Sequence, residues 1–264
     1  MNDPQSFALQ KKQQLFLVLS GIFLTNALVA EIIGAKIFSI EALLGVPPAQ
    51  ISMPGGFKLD FNLAAGAVNW PLVFVTSDVI NEYYGRAGVK RISYLTALFI
   101  AYSFLIIFVA TLLPPAPFWV DINAQPAGFD IDYAFGKIFR QGMGIILGSI
   151  SAFLVAQLLD ASVFAWLRRK SGNRKIWLRA TGSTVVSQLV DTFVVLTVAF
   201  YLFGNWSLIQ VFSVGIINYS YKFVVAVLMT PVIYLAHYLI DRYLGIAHAK
   251  QLSEEAAGEI PTAL

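Results

Sequence analysis

Two four-residue stretches place an amide and a carboxylate three positions apart: Gln157-Leu158-Leu159-Asp160 and Gln188-Leu189-Val190-Asp191. On a helix, residues i and i+3 share a face, so each stretch offers donors and acceptors side by side. Asn218 and Lys222 form a further pair at i, i+4, and Lys222 is the obvious counter-charge for Asp191 or Asp160. Two readings of this set are open: a buried ion pair that pins helix packing, or a direct part in handling a solute or a proton. The number of carboxamides around it favours the second. A third group, Asp78, Asn81, Glu82, Tyr83, Tyr84, Gly85 and Arg86, reads as an interfacial network, an inner gate or a binding site.

These polar residues stand out because of what surrounds them. Of the 264 residues, 58% are hydrophobic and only 12% charged, the reverse of what covers a soluble domain. Apolar runs of about 20 residues predict six spans near Leu15–Ile37, Leu63–Ile80, Ile92–Leu113, Ile145–Leu167, Thr181–Phe203 and Val211–Ile240. The chain is therefore expected to be an all-α polytopic membrane protein of about six transmembrane helices. Residues 1–14 form a segment before the helices, 15–240 the helical domain and 241–264 a tail. Pro71 and Pro231 are expected to bend their helices, because proline cannot donate the backbone hydrogen bond.

The placement of Lys and Arg sets the orientation. Lys11, Lys12, Arg86, Lys90, Arg91, Arg168, Arg169, Lys170, Arg174, Lys175, Arg179, Arg242 and Lys250 fall on one side. Lys36, Lys58, Lys137 and Arg140 fall on the other, and Lys222 lies within a span. Both termini are thus expected in the cytoplasm of a cell with this protein in its inner membrane. The small net charge of +3 is a matter of topology, and nucleic acid is a poor partner for it. The absence of cysteine excludes disulfides, thiolate catalysis and Cys-ligated metals. His237 and His248 are too few for a metal cluster and read as structural or exposed; no cofactor is expected.

Within lipid an ionisable side chain costs several kcal/mol unless it faces a partner or a water-filled cavity. The first span holds Asn26, Glu31 and Lys36, the second Asn62, Asn69, Asp78, Asn81 and Glu82. The fifth holds Ser183, Thr184, Ser187, Gln188, Asp191 and Thr192. Glu31, Asp78, Asn81 and Glu82 are candidates for gating or coupling. Asp160 and Asp191 are both expected in the inner half, near enough to line one cavity. Small residues at Ala30-xxx-Gly34, Gly144-xxx-Gly148 and Ser183-xxx-Ser187 read as sites of close helix packing. The proline-rich connections Ser39–Asp60 and Pro114–Gly144, with Pro126 among their prolines, are expected as external loops, with Phe118, Trp119 and Phe129 as interfacial anchors. Lids over an outward-facing cavity are the alternative role for these loops.

Asp78-Val-Ile-Asn-Glu-Tyr-Tyr-Gly85-Arg86, then Gln157-Leu-Leu-Asp160 with Phe164-Ala-Trp-Leu-Arg168-Arg169, then Gly182-Ser-Thr-Val-Val-Ser187-Gln188-Leu-Val-Asp191-Thr192 occur in that order. Together they resemble the queuosine precursor transporter family, also described as vitamin uptake transporters and similar to the substrate-binding components of energy-coupling-factor importers. The resemblance runs over roughly residues 15–240. It implies import of a 7-deazaguanine base. The substrate-binding residues would then come from Asn26, Gln157, Asp160, Ser187, Gln188, Asp191, Asn218 and Lys222. A carboxylate, Asp160 or Asp191, would accept from N1–H and the exocyclic amine, and an amide would donate to the carbonyl. Phe164, Phe193, Trp70 or Tyr221 would stack on the ring.

No Walker A, HExxH or GxSxG sequence is present, so neither ATP hydrolysis nor familiar hydrolytic chemistry is encoded. A secondary importer or facilitator is the leading expectation. A capture component docked on an ATP-driven coupling module is the alternative, and a homo-oligomer is a further arrangement. The reading from another class is a membrane enzyme using Asp78 and Glu82, or Asp160 and Asp191, as acid and base.

Overall fold

A computed structural model of the chain describes residues 4–124, 128–171 and 175–258. Pro126 of the second loop and Arg174 of the basic connection lie outside them, as do the extreme ends of the two terminal segments. The helices α1 (Pro4–Ile33), α3 (Trp70–Ala110), α6 (Met143–Ser171), α7 (Ile176–Leu196) and α8 (Leu208–Leu228) form the body. Among the described residues, five segments are long and apolar enough to cross a membrane: Leu9–Ile33, Trp70–Ala110, Ile131–Ser171, Ile176–Leu202 and Leu208–Leu228.

The helix α3 contains the second and third expected spans. Its 41 residues would reach about 60 Å if straight, twice the hydrocarbon thickness. It breaks at Gly85, whose φ of 66° and ψ of −177° lie outside the helical region. A Cβ on Gly88 would lie 3.4 Å from Cγ2 of Ile80, whereas eight residues of straight helix separate atoms by about 12 Å. The chain therefore turns sharply at Gly85, leaving limbs 70–84 and 86–110. Pro71 does not bend the second span. The helix starts at Trp70, so Pro71 occupies its first turn, where a missing N–H costs nothing. Pro231 acts as expected: the sixth span divides at Met229 into α8 and α9 (Thr230–Leu244).

The predicted first loop carries more order than a loop. The strands β1 (Ile37–Ser39) and β4 (Asn62–Ala64) pair antiparallel, as do β2 (Ile51–Ser52) and β3 (Lys58–Leu59). The short α2 (Ile40–Leu44) is capped by the Ser39 hydroxyl. Glu41 at its start accepts from the backbone N–H of Phe61 at 2.7 Å and from the Ser39 hydroxyl at 2.8 Å, tying the two arms of the loop together. The second loop contains α4 (Pro117–Ile122) and α5 (Ile131–Phe139). Phe118 is exposed, as an interfacial anchor requires, whereas Trp119 packs edge-on against Phe135. Arg140 fastens this loop to the end of α3, donating to the Thr111 hydroxyl and carbonyl.

Leu15, Leu19, Phe23 and Ala27 recur every fourth residue on α1 and meet Ile92, Ile100 and Phe104 of α3 and Phe153 of α6. Leu17, Leu98, Phe212 and Leu239 point outward. Lipid tails are as apolar as these side chains, so close packing rather than escape from water holds the bundle. The small-residue spacings show how: Gly144 and Gly148 lie against Phe203 and Ala199, and a Cβ on Gly66 would collide with the carbonyl of Ala30. Ser183 and Ser187 return hydrogen bonds to their own helix, at the carbonyls of Ala180 and Thr184.

Candidate solute-binding cavity

At the end of the bundle that bears both termini, α10 (Ile246–Ala257) packs over the turn at Gly85. Glu82 sits there between two arginines. It accepts from Arg179 Nε at 3.0 Å and Nη2 at 2.8 Å, and Arg168 Nη1 lies 3.5 Å away. The hydroxyl of Ser253 donates to the same carboxylate at 2.8 Å, and Arg168 bonds the Ser253 carbonyl. All four side chains are buried, so this cluster joins α3, α6, α7 and α10 into one closed end. Beside it, the hydroxyl of Tyr83 donates to Asp241 at 2.7 Å and meets His237 Nδ1 at 3.1 Å, which makes His237 a structural residue. Asn81 donates to the carbonyl of Ala161.

Above this floor lies a cavity of about 800 Å³ that reaches the loop end of the bundle. Its walls follow from helical periodicity. Trp70, Phe74 and Asp78 are successive fourth residues of α3, and Thr181, Thr184, Gln188 and Asp191 share one face of α7. From α8 come Asn218, Tyr221 and Lys222, from α1 Glu31, and from α6 Ser149. Leu59, Asp60, Lys137 and Arg140 place both loops at its rim.

Lys222 Nζ lies 2.6 Å from Asp191 Oδ2, with about a fifth of each side chain accessible (23% and 21%). Of the two counter-ions open to Lys222, the geometry selects Asp191. Asn218, also in the lining, donates to the carbonyl of Val214. The Ser149 hydroxyl donates to Glu31 Oε1 at 2.5 Å, and the Gln141 amide donates to the Glu31 carbonyl, so α1 is held to α6 and to the second loop. Neither oxygen of Asp78 and not the Nε2 of Gln188 finds a hydrogen-bond partner among the described residues, although both side chains are buried.

Half of the residues expected at the site line this cavity: Gln188, Asp191, Asn218, Lys222, Glu31 and Asp78. The other six do not. Asn26 bonds back to the carbonyl of Ile22. Gln157 is turned to Ser77, whose hydroxyl donates to it at 2.8 Å, and Asp160 is fully buried against Ser187 at 3.1 Å. Asn81 and Glu82 belong to the closed end described above. Asp160 and Asp191, expected to share one cavity, therefore part company: α6 turns its amide–carboxylate face into the contact with α3 and α7, and only α7 turns its own toward the space. Of the aromatic candidates, Trp70 and Tyr221 line the cavity. Phe164 lies under the guanidinium of Arg179, and Phe193 packs on Phe212 and Gly215. Ser149, Gln141 and Thr181 were not anticipated; a serine or threonine in an apolar helix bonds its own backbone as readily as it lines a cavity, and nothing in the local sequence separates the two.

A bundle of lipid-length helices that encloses a mainly apolar cavity set with a few polar groups, closed at one end and bordered by loops at the other, fits the class of membrane transporters. The chain matches the family described as "putative vitamin uptake transporter" over residues 64–236, and it belongs to that family. It is 34% identical over 184 residues to a protein of Bacillus subtilis (strain 168) named "Probable queuosine precursor transporter", covering 68% of this chain and 75% of that one. It is 26% identical over 175 residues to the "Queuosine precursor transporter" of Escherichia coli (strain K12), covering 64% of this chain and 70% of the relative. A "Probable queuosine precursor transporter" of Haemophilus influenzae Rd is 22% identical over 203 residues, 75% of this chain and 78% of the relative. No solved structure matches the chain. These relatives are transporters, and an acid–base enzyme is not the reading they support.

Proposed function

We propose that the chain imports 7-deazaguanine precursors of queuosine across the inner membrane, as a secondary transporter or facilitator with six passes and both termini in the cytoplasm. The observation that carries this reading is the cavity. Its volume of about 800 Å³ falls within the roughly 300–1,000 Å³ of small-molecule sites. It combines amides and carboxylates that suit a nitrogen heterocycle with two aromatic rings, Trp70 and Tyr221, that suit a planar one. The names of the relatives point to the same solute.

Six passes are supported by the break in α3 and by the meeting of the first and last helices. Lys12 Nζ lies 3.4 Å from Glu255, and the Tyr84 hydroxyl donates to the Lys12 carbonyl. Segments near both termini meet at one end of the bundle, which agrees with an even number of crossings. The basic residues near that end, Lys11, Lys12, Arg86, Arg168 and Arg169 among them, support its placement on the cytoplasmic side. The cavity then faces outward, and the Glu82 cluster is the inner gate.

Deleting the gene in a strain without a paralogue is expected to abolish uptake of labelled precursor, and a plasmid copy to restore it. Uptake at the normal rate in the deletion strain would defeat the proposal.

A further inference from the structure

Three carboxylates line the membrane-depth part of the cavity, and two of them are already engaged. Asp191 is held by Lys222, and Glu31 receives the Ser149 hydroxyl. Asp78 differs: it is 1% exposed, and apart from the Thr184 hydroxyl beside it, which misses hydrogen-bonding geometry, neither oxygen is engaged by a described residue. A buried carboxylate left this way is costly as an anion until a ligand's donors or a proton complete it. Gln188, 4% exposed, has the complementary deficit, with two N–H groups on Nε2 and no acceptor for them.

The two groups are placed to act together. Thr184 of α7 faces Asp78. Gln188 is one turn beyond Thr184 on the same face, about 6 Å along the helix. The other charged groups facing Asp78 are Asp160 on α6, Arg179 on α7 and, one turn along its own helix, Glu82. Glu82 is shared between Arg168 and Arg179.

We propose that Asp78 and Gln188 read the guanine-type edge of the solute: the carboxylate accepts from the ring N–H and the exocyclic amine, and the Gln188 amide donates to the ring carbonyl. Asp191 acts differently, fixing Lys222 in the wall. The assignment rests on the function proposed above and names the part of the cavity that would distinguish a 2-amino-substituted base from one without the amine. A site that loses such a donor retains an unpaired buried carboxylate oxygen, the condition under which polar sites discriminate most strongly.

The test is equilibrium binding of 7-deazaguanine and of 7-deazahypoxanthine, which lacks the 2-amino group, to the full-length chain in nanodiscs. The wild-type protein is expected to prefer 7-deazaguanine by about 100-fold. Asp78→Asn should bring the two affinities within about threefold of one another, chiefly by weakening 7-deazaguanine, because it replaces an acceptor with a donor. Asp191→Asn should weaken both bases and leave their ratio within about threefold of wild type. A wild-type ratio near one, an unchanged ratio in Asp78→Asn, or loss of the ratio in Asp191→Asn would overturn the assignment while leaving the function standing. Should Asp78→Asn fail to insert, Gln188→Leu decides: it removes the donor to the ring carbonyl that both bases carry, so it should weaken both at least about tenfold, and unchanged affinities would overturn the assignment. A wild-type chain that binds neither base defeats the function and this assignment with it.

Discussion

Lys222 and Asp191 approach to 2.6 Å in the wall of the cavity, each side chain mostly buried. Removing one partner leaves the other charged in a medium of low dielectric, which costs more than the pair contributes when intact. Asp191→Asn and Lys222→Met are each expected to lower precursor uptake at least about tenfold in cells with normal membrane levels of the protein. The exchanged pair Asp191→Lys with Lys222→Asp should recover part of it. Failure of the exchange to do better than either single change would show that the charges act separately.

Glu41 offers a test at the same scale outside the membrane. The Phe61 N–H, with the Ser39 hydroxyl and the Ala49 N–H, holds its carboxyl below the ordinary range. The stabilisation of the loop is then present above the unfolded value of about 4.3 and is lost as pH falls through the lowered one. Amide exchange at Phe61, corrected for its intrinsic rate, should stay slow to about pH 4 and accelerate below it. In Glu41→Gln the protection should be weaker and nearly independent of pH. What the sequence could disclose about such residues was limited by rotation. Gln157–Asp160 and Gln188–Asp191 have the same spacing, and spacing says only that two groups share a face. Which face of α6 or α7 meets the cavity is decided by packing against α3, so spacing could not tell that Asp191 lines the cavity and Asp160 is buried.

Among the elements, the turn at Gly85 has the sharpest requirement. Its φ of 66° suits glycine, and a Cβ there would come within 2.9 Å of the Ala256 carbonyl. Gly85→Ala is expected to lower the melting temperature in detergent, through strain of about 1–2 kcal/mol and displacement of α10. An unchanged melting temperature would mean that the turn and α10 move freely. The apolar runs showed six stretches of the right length but not their junctions. The second and third run into one another because a single glycine makes the turn. The sixth divides because Pro231 begins a new helix, and Pro71 begins one where a bend was expected. The strands of the first loop had no legible signal, since pairs of two or three residues depend on the partner segment rather than on a run of strand-forming residues.

The molecule as a whole is a bundle closed at the end where its termini meet and hollow toward its loops. Composition made the membrane class plain, and the ordered motifs made the family plain, because both are written in consecutive residues. The cavity was only partly legible, since it is made by α1, α3, α6, α7 and α8 together. The function proposed above has the chain moving its solute by itself, without an ATP-driven partner. The direct measurement is uptake of labelled 7-deazaguanine by liposomes containing only the purified protein, preloaded with unlabelled base to drive exchange. Accumulation above protein-free liposomes, abolished by excess unlabelled base outside and requiring no ATP, is the predicted result. Tight binding without passage across the bilayer would contradict it and make the chain the capture subunit of a larger importer.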